Sequence, residues 1–359
     1  IGDLISDIWM VIELPELIPE SYADNATFSW VDSLGHVIIE EYEININGYT
    51  IEKQTGEWLQ IWSELTLPEN KKKGYNKLIG LFDPPRSADT TGPIKLFIPL
   101  KFWFCKNIGL SLPILTLKDQ DVYINIKLRN FSECWIKKID MLGQPDPNIN
   151  VNSYLLIDYI YLDKAERTKF YNDNHVYLIE QIQNSLANIY PINTKLIKVP
   201  LNKFKYPIKE LIWVIQREDV LNQIDDNNYD WDGGNDWFNY SNNRSSFELD
   251  ENVETFDSAT LIFNGRKRFE ELPSEYFRLI QPLKYHTNIP ENKIYTYSFA
   301  LRPEEYDPSG TCNFSKLQNP ILVLNRSFES NIETNIIVKV YAINYNILFI
   351  SNSNTGLYF

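Results

Sequence analysis

The stretch Ile94 to Leu128, IKLFIPLKFWFCKNIGLSLPILTLKDQDVYINIKL, decides the fold class. In its second half Val122, Ile124, Ile126 and Leu128 alternate with Tyr123, Asn125 and Lys127, a period of two that belongs to a half-buried strand and cannot form a helical stripe. In its first half Phe97, Phe102, Trp103 and Phe104 carry more aromatic surface than a solvated loop holds, so burying them drives local folding. The break around Asn107 and Gly109 parts the two halves, and the reading is two buried sheet strands.

Working outward, the same signals recur. Ile8, Met10 and Ile12 alternate with Trp9, Val11 and Glu13 until Pro15, which cannot donate to a ladder. Trp30 to Ile46 reads as extended chain running into Asn47-Gly48, a tight hairpin turn. Trp58, Leu59, Ile61, Trp62 and Leu65 have the spacing of a short amphipathic helix over Glu57 to Leu65. Leu67 to Thr91, with its lysines and paired prolines, reads as a long loop. Tyr154 to Leu162 is a strand, followed by a short helix through Phe170 that Asp163 caps with Glu166 as its capping-box partner. Further strands are expected at Val176 to Gln183, Leu196 to Leu201, Ala259 to Phe263, Ile294 to Leu301, Ile321 to Leu324 and Ile336 to Ile350, the last apolar enough to be central. Arg217 to Phe256 is rich in Asp and Asn and reads as a surface excursion outside the core.

Composition agrees with strands. Aromatic residues are 14% of the 359 residues, with 22 Tyr against two Met, which favours pleated surfaces over helical bundles. The class is all-β, in two domains or one large one. A net charge of −14 argues against a chain that wraps phosphate backbones, and the one dense basic cluster, Lys71-Lys72-Lys73, reads as a solvated turn. Cys105, Cys134 and Cys312 lie far apart in odd number, which predicts reduced thiols and synthesis in the cytosol. No run approaches the roughly 18 apolar residues of a membrane span.

Three anchors repeat in the same order. Ile5-Ser6-Asp7-Ile8 echoes Ile208-Lys209-Glu210-Leu211 at an offset of 208 − 5 = 203 residues. Asn47-Gly48 with Glu57-Trp58 echoes Asn264-Gly265 with Glu275-Tyr276 at 264 − 47 = 217, and Pro113-Ile114-Leu115 echoes Pro320-Ile321-Leu322 at 320 − 113 = 207. Two copies of one β fold follow, each of a size that suits an eight-stranded jelly roll.

Catalytic patterns are scarce. His36, His175 and His286 stand isolated, with no HExxH, no His/Cys ligand spacing, no GxSxG and no phosphate-cradling glycine loop. Asn228, Asp230, Asp232 and Gly233 fit the first half of a calcium loop, but Asn239 stands where a bidentate Glu is needed. Trp231, Trp237 and Phe238 could stack on a sugar, which gives an alternative reading as a carbohydrate-binding or carbohydrate-cleaving β-sandwich using loop 217–256; the plainer reading has them anchor the loop. Sequons at Asn25, Asn130, Asn239, Asn243, Asn313 and Asn325 read mostly as coincidence in an Asn-rich chain. No catalytic, cofactor or metal residue is assigned.

Several stretches carry a family resemblance. Pro99 to Asn107 followed by Leu110-Ser111-Leu112-Pro113, Gly56 to Trp62, Pro207 to Val214, Tyr276 to Pro282, Tyr297 to Leu301 and Pro308 to Ser315 together resemble the major capsid proteins of the nucleocytoplasmic large DNA viruses, the iridovirus and phycodnavirus group. The resemblance implies a double jelly roll that forms homotrimeric, pseudo-hexagonal capsomers of an icosahedral shell. It implies as partners neighbouring capsomers, minor capsid proteins and an internal membrane, with no direct nucleic-acid binding and assembly in the host cytoplasm. It also sets the opening Ile1-Gly2-Asp3 inside a family motif, so the first jelly roll is expected to lack its N-terminal strand in this chain. The expected division is 1–163 for the first roll, 164–175 for a linker helix and 176–359 for the second.

Overall fold

The computed structural model describes residues 2–20, 28–81, 93–137, 144–185, 187–191, 193–221, 234–242, 254–326, 334–352 and 354–358. The first strands are β1 (Leu4–Leu14), β2 (Phe28–Trp30), β3 (Ile39–Ile46), β4 (Tyr49–Thr55), β5 (Ile94–Pro99), β6 (Val122–Leu128), β7 (Trp135–Lys137), β8 (Asn152–Ile160) and β9 (His175–Asn184). Then come β10 (Asn188–Pro191), β11 (Leu196–Pro200), β12 (Pro207–Arg217), β13 (Ser258–Phe263), β14 (Arg266–Lys267), β15 (Leu272–Pro273), β16 (Ile294–Ser298), β17 (Cys312–Asn313), β18 (Ile321–Asn325), β19 (Asn335–Ile350) and β20 (Thr355–Leu357). The α-helices are α1 (Leu34–Ile38), α2 (Gly56–Thr66), α3 (Glu69–Ile79), α4 (Lys164–Asn172) and α5 (Gln281–Tyr285). Among the described residues no helix is long and apolar enough to cross a membrane.

The chain forms two compact units, one of residues 1–60, 70–181 and 346–359, the other of 61–69 and 182–345. In the second unit one sheet has the order β10-β19-β12-β16 and the other β11-β18-β13-β14. Short or peripheral strands join these paths, β9, β17 and β20 on the first sheet and β15 on the second. The four strands along each path, antiparallel and not closed into a barrel, make the eight-stranded frame of a jelly roll. Its core is aromatic and aliphatic, with Trp213 packed on Phe277 at 5.2 Å and on Tyr295 at 6.0 Å between centroids and with Leu261, Leu322 and Val340 fully enclosed.

The first unit repeats that frame. Its sheets run β5-β1-β8 and β4-β3-β6, matching β16-β12-β19 and β14-β13-β18 strand for strand. Among the described residues the first unit has no counterpart of β10 beside β8, or of β11 beside β6. Among the described residues the first roll is thus one strand shorter along each of these two paths.

Two of the three sequence anchors hold in three dimensions. The β1–β8 ladder shifts register between Ile5 and Asp7, and the β12–β19 ladder shifts between Ile208 and Glu210, so the echoed segments carry the same bulge. Both hairpins turn on consecutive positive φ angles, 53° and 85° at Asn47 and Gly48, 54° and 75° at Asn264 and Gly265. Such a turn matches the twist of the flanking strands, which is why Asn-Gly marks both. The third anchor fails. Pro113-Ile114-Leu115 lies in a turn, whereas Ile321 and Leu322 lie in β18, whose counterpart is β6.

Three local expectations also need correction. The aromatic run after β5 is not a strand: the ladder ends at Pro99, and Trp103–Cys105 is a 3-10 turn. That turn buries Phe102, Trp103 and Phe104 together, with the phenyl rings stacked at 5.5 Å and Trp103 edge-on to Phe104 at 5.0 Å. Within Trp30 to Ile46 the chain coils into α1 before β3. Leu67 to Thr91 holds α3, whose Glu and Lys residues are good helix formers, and residues 82–91 lie outside the described set. Gly80, at φ 77°, ends α3 in the left-handed conformation, and Leu81 N–H returns to the Asn76 carbonyl at 2.8 Å.

The remaining elements follow the sequence. The alternation over Val122–Leu128 is the strand β6. Asp163 caps α4 by accepting from the amides of Ala165 at 2.8 Å and Glu166 at 2.9 Å. The long β19 is central, flanked by β10 and β12.

Candidate functional site

The described part of the segment 217–256 is not a free surface excursion. Asn235, Asn239, Tyr240 and Ser241 are buried within the second unit. Tyr240 supplies the apolar surface that holds the segment down, and short polar side chains satisfy the backbone around it. The amide of Gln216 donates to the Trp237 carbonyl at 2.8 Å, and Arg217 donates to the Asn242 carbonyl at 2.9 Å. On the returning side Arg326 donates to the Thr255 carbonyl at 3.1 Å and the Tyr295 hydroxyl donates to Glu254 at 2.8 Å.

This geometry bears on both ligand readings. The Asn239 amide donates to Asp236 at 3.0 Å, while its oxygen accepts from the backbone and hydroxyl of Ser241 at 3.0 and 2.7 Å. It is engaged in a local turn. Asn228, Asp230, Asp232, Gly233 and Trp231 lie outside the described residues, and Trp237 and Phe238 are half-buried. Among the described residues no three His, Cys, Asp or Glu side chains form a cation cluster.

The histidines are structural in setting. His36 is fully buried in the first unit, with Nδ1 2.7 Å from Gln60 Oε1 and Nε2 3.0 Å from the Tyr75 hydroxyl. Burial pushes its pKa down to about 4. His175 stacks between Phe170 and Tyr177, with Nε2 2.8 Å from the Phe170 carbonyl. His286 lies between two carboxylates in the second unit. Burial pushes the Cys134 thiol up to about 12 and raises Cys105 too, so neither is an activated nucleophile. The described sequon asparagines are likewise occupied: the side chain of Asn313 caps a 3-10 turn, and Asn325 donates to Ser258 and Glu271.

A buried polar cluster in the first unit escaped the sequence. Glu52 and Gln54 are each 2% exposed under the aromatic turn. Glu52 accepts from the Trp103 amide at 2.9 Å and from the Gln54 side chain. Gln54 also donates to the Lys101 carbonyl at 2.7 Å and accepts from the Tyr42 hydroxyl at 2.6 Å. Close by, Lys106 and Glu180 pair at 2.8 Å. Burial raises the Glu52 pKa to about 7, with Lys106 pulling the other way. The cause of the oversight is a bulge: the β3–β4 register shifts between Ile44 and Asn45, which sets Glu52 opposite Ile44 and turns it inward.

The first unit also has an apolar groove of about 300 Å³ lined by Met10, Ile124, Ile126, Leu128, Ser153, Tyr154 and Leu155. It opens where β6 and β8 have no further neighbour among the described strands.

None of these places assembles a nucleophile, a base and an open cleft, and the twofold jelly-roll frame is what the chain builds with most of its residues. That frame has known counterparts. Residues 166–356 match the family model of the large eukaryotic DNA virus major capsid protein, and residues 1–163 match that of the major capsid protein N-terminus. The chain belongs to this capsid protein family. The major capsid protein of Phaeocystis pouchetii virus is 31% identical over 99% of this chain and 87% of its own length. That of Pyramimonas orientalis virus is 32% identical over 99% of this chain and 83% of its own. In fold, the chain in the solved PBCV-1 virus capsid superposes with a TM-score of 0.77 at 23% identity, covering 100% of this chain and 90% of that one.

As a major capsid protein the chain is a structural component of a virion shell, and its fold is a double jelly roll. Neither the family, the fold nor the described loop geometry supports the carbohydrate reading.

Proposed function

We propose that this major capsid protein assembles as a homotrimeric capsomer of pseudo-hexagonal outline that tiles an icosahedral shell, and that it carries out no catalysis. The observation behind this reading is the internal repeat. Three chains with two like rolls each bring six similar lobes around a threefold axis, so a trimer takes a near-hexagonal outline. Exposed apolar side chains such as Ile108, Tyr123 and Val176 in the first unit and Leu283 and Leu301 in the second supply area for burial between copies.

In chain order the proposed division is 1–163 and 176–359 with 164–175 as the linker helix, with the exchange that 61–69 pack in the second unit and 176–181 and 346–359 in the first. The capsomer meets neighbouring capsomers, minor capsid proteins and an internal membrane, and assembles in the host cytoplasm. With a net charge of −14 it makes no direct contact with nucleic acid.

Light scattering tests the central claim. A trimer has three times the chain mass of 42.2 kDa, and its interfaces exceed the roughly 1,000 Å² that separates specific contacts from incidental ones. A single-chain species that persists at high protein concentration and moderate salt refutes the capsomer. Negative-stain images of the trimer should show a hexagonal outline.

A further inference from the structure

His286 follows α5 in the second unit, its backbone N–H donating to the Pro282 carbonyl at 2.8 Å, and its side chain is fully buried. Nε2 lies 2.8 Å from Glu210 Oε1 and Nδ1 lies 2.9 Å from Glu304 Oε1. A neutral imidazole has one N–H donor, whereas a carboxylate against each nitrogen calls for two. Geometry alone therefore favours the doubly protonated ring. Glu210, on β12, is also fully buried, and its Oε2 meets no hydrogen-bond donor among the described residues. Its charge is balanced by His286 or left exposed to a low-dielectric interior.

Among the described residues the charged side chains in contact with the ring are the two glutamates. Around the ring, β12 presents Glu210, the turn after Leu301 presents Glu304, and α2 presents the uncharged edge of Trp62 at 6.2 Å. Lys209 turns to the Tyr345 ring, Glu64 accepts from Asn292, and Arg302 pairs with Glu305. Glu304 also accepts from the Thr287 amide at 2.7 Å, so the clasp closes on the segment that carries the histidine.

That segment holds further chain. The Asn288 amide donates to the Leu65 carbonyl at 2.9 Å, its side chain to the Leu67 carbonyl at 2.7 Å, and the Asn292 side chain to Glu64 at 2.7 Å. All of these lie within the second unit.

We infer that His286 is a buried imidazolium clasp that locks residues 286–305 onto β12, and that loss of its proton releases this segment together with residues 61–69, which it holds. Burial works against the charge, but the Glu210 and Glu304 carboxylates outweigh it and lift the pKa from 6.5 to about 9. A folded-state pKa raised in this way gives a stabilisation fully present below 6.5 and lost as pH rises through 9. The clasp is shut at neutral pH and opens in alkali.

Hydrogen exchange on the full chain, corrected for base catalysis, tests this between pH 6 and 10. In the wild type, protection of peptides over 284–306 and 61–69 should fall on the order of 100-fold across that range, because each unit of pKa displacement is a factor of ten in the opening equilibrium. Peptides from β18 should show no such step. His286→Gln should abolish the step. Glu304→Gln, at the more exposed carboxylate, should fold and move the midpoint down toward 6.5. A flat wild-type profile, an unchanged step in His286→Gln, or an unmoved midpoint in Glu304→Gln overturns the clasp. Should His286→Gln not fold, the wild-type series and Glu304→Gln decide.

Discussion

Replacing Glu52 by Gln should exchange a pH-dependent first unit for a pH-independent one. Glu52 is buried, and burial lifts its pKa from 4.5 to about 7. The folded state therefore holds a proton that the unfolded chain has already released, and stability is fully present below 4.5 and lost as pH climbs through 7. A displacement of that size corresponds to about 3 kcal/mol at about 1.4 kcal/mol per unit. The amide of Gln keeps an acceptor for the Trp103 N–H but sets an NH₂ against the Gln54 NH₂, a donor clash worth about 1–2 kcal/mol. At pH 5 the variant should thus be less stable than wild type by about that clash, and at pH 8 more stable by about 1–2 kcal/mol. The crossing of the two curves is the signature. Denaturant unfolding followed by tryptophan fluorescence at pH 5, 6, 7 and 8 measures it, because Trp103 lies over the cluster. Parallel stability curves for the two proteins from pH 5 to 8 would show that Glu52 does not titrate in this window and that the burial argument is wrong.

Gly56→Ala should prevent the first unit from forming, since a Cβ there would meet the His36 carbonyl oxygen at 1.9 Å and that of Ile39 at 2.3 Å; loss of soluble expression checks it, and near-native stability refutes it. Trp213→Ala empties the centre of the second unit and should cost about 3–5 kcal/mol, read as an earlier denaturant midpoint with loss of near-UV ellipticity. Asp163→Ala removes the cap of α4 and should cost about 1 kcal/mol, seen as faster amide exchange confined to Lys164–Asn172.

What the sequence disclosed and what it hid have separate physical causes. Strand alternation in β6, the Asn-Gly hairpins and the Asp163 cap are local signals, carried by a few neighbouring residues, and each reappears in the structure. The echo between Ile5 and Ile208 is legible because similar residue types recur at both places, whereas the bulge it carries is seen only in the ladders. The helix α3 is hidden because a lysine-rich run between prolines has the composition of a solvated loop, and only the left-handed Gly80 marks where the helix stops. The Glu52 cluster and the His286 clasp were illegible for a deeper reason. Glu52 meets Trp103, and His286 meets Glu210, across separations of 51 and 76 residues. No local pattern encodes such meetings, and a one-residue register shift decides which way Glu52 points. The segment 217–256 is polar by composition, yet its described part buries Val220, Tyr240 and Phe256, which seat it.

The division of the chain into units has a consequence for the order of synthesis. Asn346–Phe359, near the C-terminal end of this sequence, belong to the first unit, where β20 pairs with the closing residues of β19 and Gln120 donates to the Ser351 carbonyl at 2.7 Å. A ribosome delivers those residues only after the whole second unit. The first roll, earliest to emerge, therefore waits with its last pieces missing while residues 182–345 are made and begin to fold. Closing over so long a separation is slow, and the waiting roll keeps unpaired strand edges in reach of other nascent chains. Release of the chain's end, and with it Asn346–Phe359, is therefore the step that completes the first roll.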